Sequence, residues 1–224
     1  MYQRGLSFFV LAVSCLLVSC ETPQFLTLTI YESPQRVVRL QAIPDANQGK
    51  GFSHPAYLTT KDITDVMQGL YVERGHSTFS LPFLSDSKTS PRHRAFSDRE
   101  IKFFAPLLVK GLRQATPEEV VTFFETADIS STQARTTSGG VFVQDHAIHV
   151  LLSNYGAKTM IYQDSGEDDK GPNRLRPLEP IAHEPGRLLF EPSQYMVQTE
   201  ESDFGGALSG KPWHTAVLFG KLSH

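Results

Sequence analysis

The sequence has few of the features that mark specialised classes of protein. Two Cys among 224 residues are too few for a disulfide scaffold of the small secreted kind. Lys and Arg number 21 against 24 Asp and Glu, and the net charge of −3 excludes the broad basic surface of a nucleic-acid binder. The 14 Pro and 16 Gly are close to average numbers, which excludes collagen-like and fully disordered chains. The composition, 40% hydrophobic, is that of one ordinary globular domain.

No short motif of catalysis or metal binding is present in the sequence. Residues 206–210 have the wrong spacing for the nucleophile turn G-x-S-x-G. His183 and Glu184 are followed by Pro185, which prevents the helix that an H-E-x-x-H zinc motif requires. We therefore predict no catalytic residue, no cofactor and no metal site, and we favour the interpretation that the protein is not an enzyme.

Residues 1–20 have the anatomy of a secretory signal peptide. A positive head carried by Arg4 precedes the apolar residues 6–18, which contain no charge. This apolar run is too short to span a bilayer comfortably, because a spanning helix needs roughly 20 such residues. The polar residues 21–24 follow it, so the run does not continue into a transmembrane helix.

The end of the apolar run resembles the lipobox of bacterial lipoprotein precursors. Leu17 occupies the apolar position of that motif, Val18 and Ser19 the small positions, and Cys20 the position of the lipidated residue. The resemblance covers residues 1–20 alone and implies that Cys20 receives a diacylglycerol and that the chain is cut before it. A second run at 12–15 is a weaker match, and an uncleaved anchor or a plain signal peptide are the alternatives.

The resemblance implies the organisation and the location of the chain. Residues 1–19 are the signal peptide, residues 20–24 are the lipid-attachment site with a short tether, and residues 25–224 form a single domain. Acyl chains on Cys20 attach the protein to a membrane, because two or more such chains suffice for stable anchoring. Glu21, which is not Asp, favours the outer membrane of the bacterial cell envelope, on its periplasmic side. The expected partners are this membrane and other envelope proteins, with no nucleic acid.

Capping signals and helical spacing predict three helices. The first begins at Thr59 and ends at Gly75, and the second begins after Ser97, where Glu100 completes a capping box. Pro106 should kink or split this second helix. A third helix is predicted from Thr116, because Pro and Glu occupy its first turn.

Alternating or β-branched runs predict strands on both sides of these helices. The predicted strands are residues 25–31, 37–43, 141–144, 147–154, 188–190, 195–197 and 215–219, with a hairpin turn at 145–146 and a Ser/Thr-rich link at 130–138. No βαβ alternation is present. We therefore expect an α+β domain in which an antiparallel or mixed sheet is covered on one face by about three helices.

Two weaker constellations could carry function. The first is a locally basic stretch that could meet anionic headgroups or an acidic partner; it contains Lys88, Arg92, His93, Arg94, Arg99 and Lys102. The second is the set of His residues that folding could bring together with carboxylates, namely His54, His149, His183 and His214. We do not expect a metal pair at His146 and His149, because their odd offset places them on opposite faces of a regular strand.

The sequence thus supports two readings of function. The first is a lipid-anchored envelope protein whose domain has a non-catalytic role in binding or assembly. The alternative is an envelope hydrolase with a dispersed His and carboxylate site. No family is recognised for residues 21–224.

Overall fold

Two antiparallel sheets and two α-helices make up the described part of the domain. The computed structural model describes residues 28–43, 49–75, 91–160, 174–182, 185–197 and 212–220. In chain order the elements are β1 (Thr29–Glu32), β2 (Arg36–Ala42), α1 (Thr60–Gln68), β3 (Leu70–Arg74), β4 (Arg92–Arg94), α2 (Asp98–Gln114), β5 (Glu119–Asp128), β6 (Gln133–Gln144), β7 (Ala147–Met160), β8 (Gly186–Phe190), a 3-10 turn (Ser193–Tyr195), β9 (Met196–Val197) and β10 (Trp213–Leu218).

The strands form one large and one small sheet. The large sheet has the order β1-β2-β5-β6-β7-β10-β9 and the small one the order β4-β3-β8, and every neighbouring pair is antiparallel. The expected α+β domain with an antiparallel sheet is therefore confirmed at that level. The expected number of helices is wrong, because the described residues contain two α-helices and not three.

The predicted third helix is strand β5. Its capping signal is real but local, since the backbone N–H of Thr116 donates to the Glu119 carboxylate at 2.8 Å and closes a turn. The following run from Val120 to Phe124 is buried at every position, because β5 lies inside the sheet and is covered on both faces. A strand that is buried on both faces loses its alternation, and its apolar run then resembles a buried helix.

The starts of the two α-helices agree with their predicted caps. Thr59 with Asp62 and Ser97 with Glu100 both form reciprocal capping boxes. The predicted ends agree less well. Helix α1 stops at Gln68, with Gly69 as its C-cap, and not at Gly75, because the β-prone residues that follow form strand β3. Helix α2 is not split, and Pro106 lies on its exposed side.

Both faces of the large sheet carry buried side chains in its central part. The main core lies between the sheet and the two helices, where Phe104 and Leu108 of α2 pack with Phe123 of β5. Gly111 lets α2 approach β5 closely, since a Cβ there would lie 2.5 Å from Val121. A smaller cluster on the opposite face contains Ile43, Phe52, Val120, Phe142, Leu151 and Leu178.

The long hairpin β6–β7 positions the candidate site. Its turn lies at Asp145 and His146, which have φ values of 48° and 64°, as a two-residue turn of the primed kind requires. The predicted hairpin and the common face of Ile148, Val150 and Leu152 are thus confirmed. The predicted link at 130–138 is partly wrong, because β6 already begins at Gln133.

Candidate functional site

A cleft of about 840 Å³ lies between the small sheet and the end of the β6–β7 hairpin that is remote from its turn. The hairpin supplies one wall, and β3, β4 and the start of α2 supply the other. Its described lining contains four Arg and Lys side chains but one carboxylate; the cations are Arg74, Arg94, Arg135 and Lys158, and the carboxylate is Glu100. The cleft is therefore cationic in a chain whose net charge is −3.

Two of the cations oppose each other across the hairpin. Arg135 of β6 and Lys158 of β7 are direct partners in the strand register, and both are exposed. Like charges at directly opposite positions of a strand pair destabilise it. Neither side chain forms a hydrogen bond or an ion pair with another described residue. An anion bound between them would relieve this repulsion.

Tyr155 of β7 connects the hairpin to the other two cations. Its carbonyl accepts a hydrogen bond from the Arg74 guanidinium at 2.7 Å, and its hydroxyl donates to the Arg94 carbonyl at 3.1 Å. The Arg74 guanidinium also lies 5.4 Å from the centre of the Tyr155 ring. Burial raises the pKa of Tyr155, which keeps the phenol in its donating form.

A backbone irregularity shapes the cleft wall beside Tyr155. Gly156 has a φ of 58°, and the β6–β7 register shifts between Thr136 and Ser138. The Gly156 N–H donates to the Thr137 hydroxyl at 3.2 Å, and Gly156 has no partner in the β6–β7 register. Irregularities of this kind redirect side chains and are common beside functional sites.

The carboxylate of Glu100 is committed to the start of helix α2. It accepts hydrogen bonds from the backbone N–H of Ser97 at 2.6 Å and from the Ser97 hydroxyl at 2.5 Å. Arg94 forms an ion pair with Asp98 at 2.9 Å, and the two side chains are 41% and 81% exposed. Water screens this ion pair, so Arg94 remains able to attract a ligand.

The predicted basic stretch contributes two residues to the cleft. His93 and Arg94 line it, from the segment that forms strand β4. Arg92 instead pairs with Glu73 and Glu191. Arg99 and Lys102 are exposed on α2 and do not line the cleft, and Lys88 lies outside the described residues.

The structure brings two of the four candidate His residues together. The Nδ1 of His149 lies 3.0 Å from the Nε2 of His214, and the two rings are nearly parallel. His149 also stacks on Phe142, with ring centres 4.6 Å apart. Burial, followed by the charge of His214, lowers the pKa of His149 to about 4, so that it is neutral at pH 7.

The other His candidates are separate from this pair. The Nε2 of His54 accepts a hydrogen bond from the Val143 N–H at 3.0 Å, which fixes the segment before α1 against β6. Burial also lowers the pKa of His54. His146 is exposed in the hairpin turn, and His183 lies outside the described residues. No group of three His, Cys, Asp or Glu residues in the described ranges is placed to hold a metal ion.

Sequence reasoning missed Arg74, Arg135 and Lys158. Arg135 lies beside the β-branched residues Thr136 and Thr137, which are the weak sequence signal for a strand in this segment. The pairing of Arg135 with Lys158 could not be found in this way, because it depends on the register of β6 against β7.

The chain was compared with known proteins, and no protein family, curated protein or solved structure matches it. Within the described ranges, neither α-helix has the length and the apolar character needed to cross a membrane.

Proposed function

We propose that this chain is a lipid-anchored bacterial envelope protein whose domain binds an anionic ligand in the cationic cleft, without catalysis. The observation that carries the proposal is the wall formed by Arg135 and Lys158, which places two like charges directly opposite each other at the cleft. Such an arrangement costs stability in the free protein. A bound anion removes that cost, so relief of the repulsion adds to the affinity of the protein for an anionic ligand.

The anchor would hold the cleft near a membrane. Residues 21–27 separate Cys20 from Leu28, the first described residue, and this length of chain can extend by at most about 30 Å. We place the protein on the periplasmic side of the outer membrane, as the lipobox and Glu21 favour. An anchored domain of this reach meets ligands at the membrane surface or in the adjoining envelope.

The chemistry of the cleft supports binding over catalysis. Its one carboxylate among the described lining residues, Glu100, already accepts two hydrogen bonds from Ser97. The Tyr155 hydroxyl donates to a backbone carbonyl. The Arg and Lys side chains of the lining can attract and orient a negative group, and a binding site for an anion requires no more than this.

Calorimetric titration with inorganic tripolyphosphate tests this proposal. The full chain is purified in an uncharged detergent and titrated at low and at high salt. We expect binding that weakens at high salt, and a loss of about tenfold in affinity for Arg135→Gln or Lys158→Gln, since a hydrogen bond to a charged group contributes about 1.5–3 kcal/mol.

The matched control is Lys110→Gln, which removes the same charge from an exposed position of α2 away from the cleft. We expect this variant to bind as the wild type does. Absence of binding at low salt, or an equal loss in the Lys110 variant, would show that the cleft is not an anion site.

A hydrolase is the second candidate function, and the contact between His149 and His214 is the observation that favours it. A neutral His could act as a general base if a carboxylate or a second His orients it. Turnover of a nitrophenyl ester panel by the wild-type chain, and its loss in His214→Gln, would support this alternative. No turnover above that of the His214→Gln variant would count against it.

A further inference from the structure

Gly156 lies where a cation of the small sheet meets the hairpin. A Cβ at this position would lie 3.8 Å from a terminal nitrogen of Arg74, and apart from its chain neighbours no other described residue lies within 4 Å of it. The Tyr155 carbonyl holds the Arg74 guanidinium there by a hydrogen bond of 2.7 Å. A positive charge therefore lies beside a backbone position where no hairpin side chain fills the cleft.

The two hairpin cations lie close to the same position. Lys158 is two residues beyond Gly156 on β7, so their Cα atoms are at most about 7 Å apart. Arg135 is the direct partner of Lys158 on β6, which adds a Cα separation of about 5 Å. Long side chains reach across such distances. Because Arg74, Arg135 and Lys158 all line the cleft beside Gly156, their charges can contact a single bound group.

Thr137 adds a neutral donor beside these cations. Its hydroxyl oxygen accepts the hydrogen bond from the Gly156 N–H at 3.2 Å. A hydroxyl also has one proton to donate, and no described residue accepts the proton of Thr137. Since Thr137 lines the cleft, an anion beside Gly156 can accept it.

From these contacts we infer that the ligand of the cleft is a phosphate monoester whose terminal phosphate lies against Gly156. This inference rests on the proposed anion-binding function and names its ligand class. The phosphate oxygens accept hydrogen bonds from the side chains around that position, namely Arg74, Arg135, Thr137 and Lys158.

The charges and donors of the site match phosphate better than carboxylate. A phosphate monoester carries a charge of about −1.5 to −2 at pH 7 and has three acceptor oxygens. Arg135 and Lys158 have no counterion among the described residues, so one dianionic group neutralises both charges and one carboxylate does not. The absence of a side chain at Gly156 leaves the place of the phosphate open.

A comparison of small anions tests the inference. The full chain in an uncharged detergent is titrated calorimetrically with glycerol 3-phosphate, with glycerate, and with succinate, which carries two separate carboxylates. We expect glycerol 3-phosphate to bind at least about tenfold more tightly than either carboxylate, because its phosphate alone combines the charge and the acceptors in one compact group.

Side-chain variants test whether one anion contacts both walls of the cleft. Arg74→Gln and Lys158→Gln should each weaken glycerol 3-phosphate binding about tenfold, as the loss of a hydrogen bond to a charged group does. Thr137→Val should weaken it about fivefold, whereas Thr137→Ser keeps the hydroxyl and should bind as the wild type does. Lys110→Gln is the matched control for lost charge, and the urea midpoint of each variant shows that its fold is kept.

Phosphate monoesters occur both as soluble esters and as lipid headgroups. Dihexanoyl phosphatidic acid, a water-soluble lipid, distinguishes these two sources. Tighter binding of this lipid than of glycerol 3-phosphate, if Arg74→Gln weakens it, supports the inference and assigns a lipid headgroup to the site. Weaker or equal binding supports it with a soluble ester as the ligand.

The outcomes separate this inference from the function on which it rests. An affinity for glycerol 3-phosphate no higher than that for either carboxylate would overturn the phosphate ligand and leave anion binding standing. An unchanged affinity in Arg74→Gln would do the same, because the small sheet would then take no part. Absence of binding for every anion, tripolyphosphate included, would overturn both.

Discussion

Cys20 is the residue on which the proposed membrane attachment depends. It lies outside the described residues, so its role follows from the lipobox resemblance and from the apolar run before it. Cys15 is the one other Cys in the sequence and belongs to the weaker match. Under the proposed cleavage, Cys15 leaves with the signal peptide and the mature chain has a single Cys, which is acylated.

Replacement of Cys20 by Ala should abolish acylation. The variant has no sulfur at the lipobox position, so it cannot receive the diacylglycerol and should accumulate as the uncleaved precursor. Labelling of bacterial cells with a clickable palmitate analogue measures the lipid, and the control is Cys15→Ala, which should keep the full label. Equal labelling of the wild type and the Cys20 variant would refute lipidation at Cys20.

At the same scale, the residues of the cleft show what a sequence can reveal about a site. Arg94 and His93 could be singled out because they are neighbours in a basic stretch. Arg135 and Lys158 are 23 positions apart, and only the register of β6 against β7 places them opposite each other. A site that is assembled by strand pairing leaves no local motif, and its residues then stay hidden in a single sequence.

At the scale of elements, sequence signals predicted the structure correctly where a side chain or a turn depends on the backbone of the same short segment. The capping boxes at Thr59 and Ser97 and the hairpin turn at 145–146 depend on contacts within a few residues, and all three are present. Strand β5 shows the limit, because its burial on both faces comes from the rest of the sheet. The third predicted helix was wrong for that reason.

Helix α2 should depend on Phe104 for much of its packing. This side chain is 1% exposed and contacts the ring of Phe123, with ring centres 5.7 Å apart. Truncation of a core Phe to Ala typically costs about 3–5 kcal/mol of unfolding free energy. We expect Phe104→Ala to lower the urea midpoint of the full chain strongly.

The matched control on the same helix is Lys102→Ala, at an exposed position two residues away. A surface change of this kind usually stays within about 0.5 kcal/mol. An unchanged midpoint in Phe104→Ala, or an equal loss in both variants, would contradict the assignment of the buried face of α2.

At the scale of the whole molecule, composition and local charge give different information. The net charge of −3 excludes a broadly basic surface, and the structure still gathers four cations around one cleft. The cleft is cationic because the two sheets bring these four side chains together, and acidic residues elsewhere in the sequence make the total charge negative. The overall charge therefore indicates neither the sign nor the place of the proposed ligand site.

The buried imidazole of His149 links the stability of the whole molecule to pH. Its pKa is about 4 in the folded protein, because burial and the neighbouring His214 disfavour the charged form, whereas an unfolded His titrates near 6.5. Below pH 6.5 the unfolded state therefore binds a proton that the folded state does not bind. This difference destabilises the fold progressively as the pH falls, until the folded imidazole also titrates near pH 4.

The size of this effect can be measured between pH 7 and pH 5. Each pH unit below 6.5 costs about 1.4 kcal/mol for one such group, so the contribution of His149 at pH 5 is about 2 kcal/mol. Urea unfolding of the full chain at both pH values gives the difference for the wild type, for His149→Gln and for His146→Asn. The Gln side chain does not titrate, so we expect that variant to lose about 2 kcal/mol less of its unfolding free energy than the wild type on acidification.

His146 is exposed in the hairpin turn, and its replacement should leave the wild-type difference between the two pH values intact. Comparing the two pH values within each variant removes the packing loss that His149→Gln causes at any pH. An identical acid sensitivity in the wild type and in His149→Gln would show that the imidazole is not held neutral by the fold.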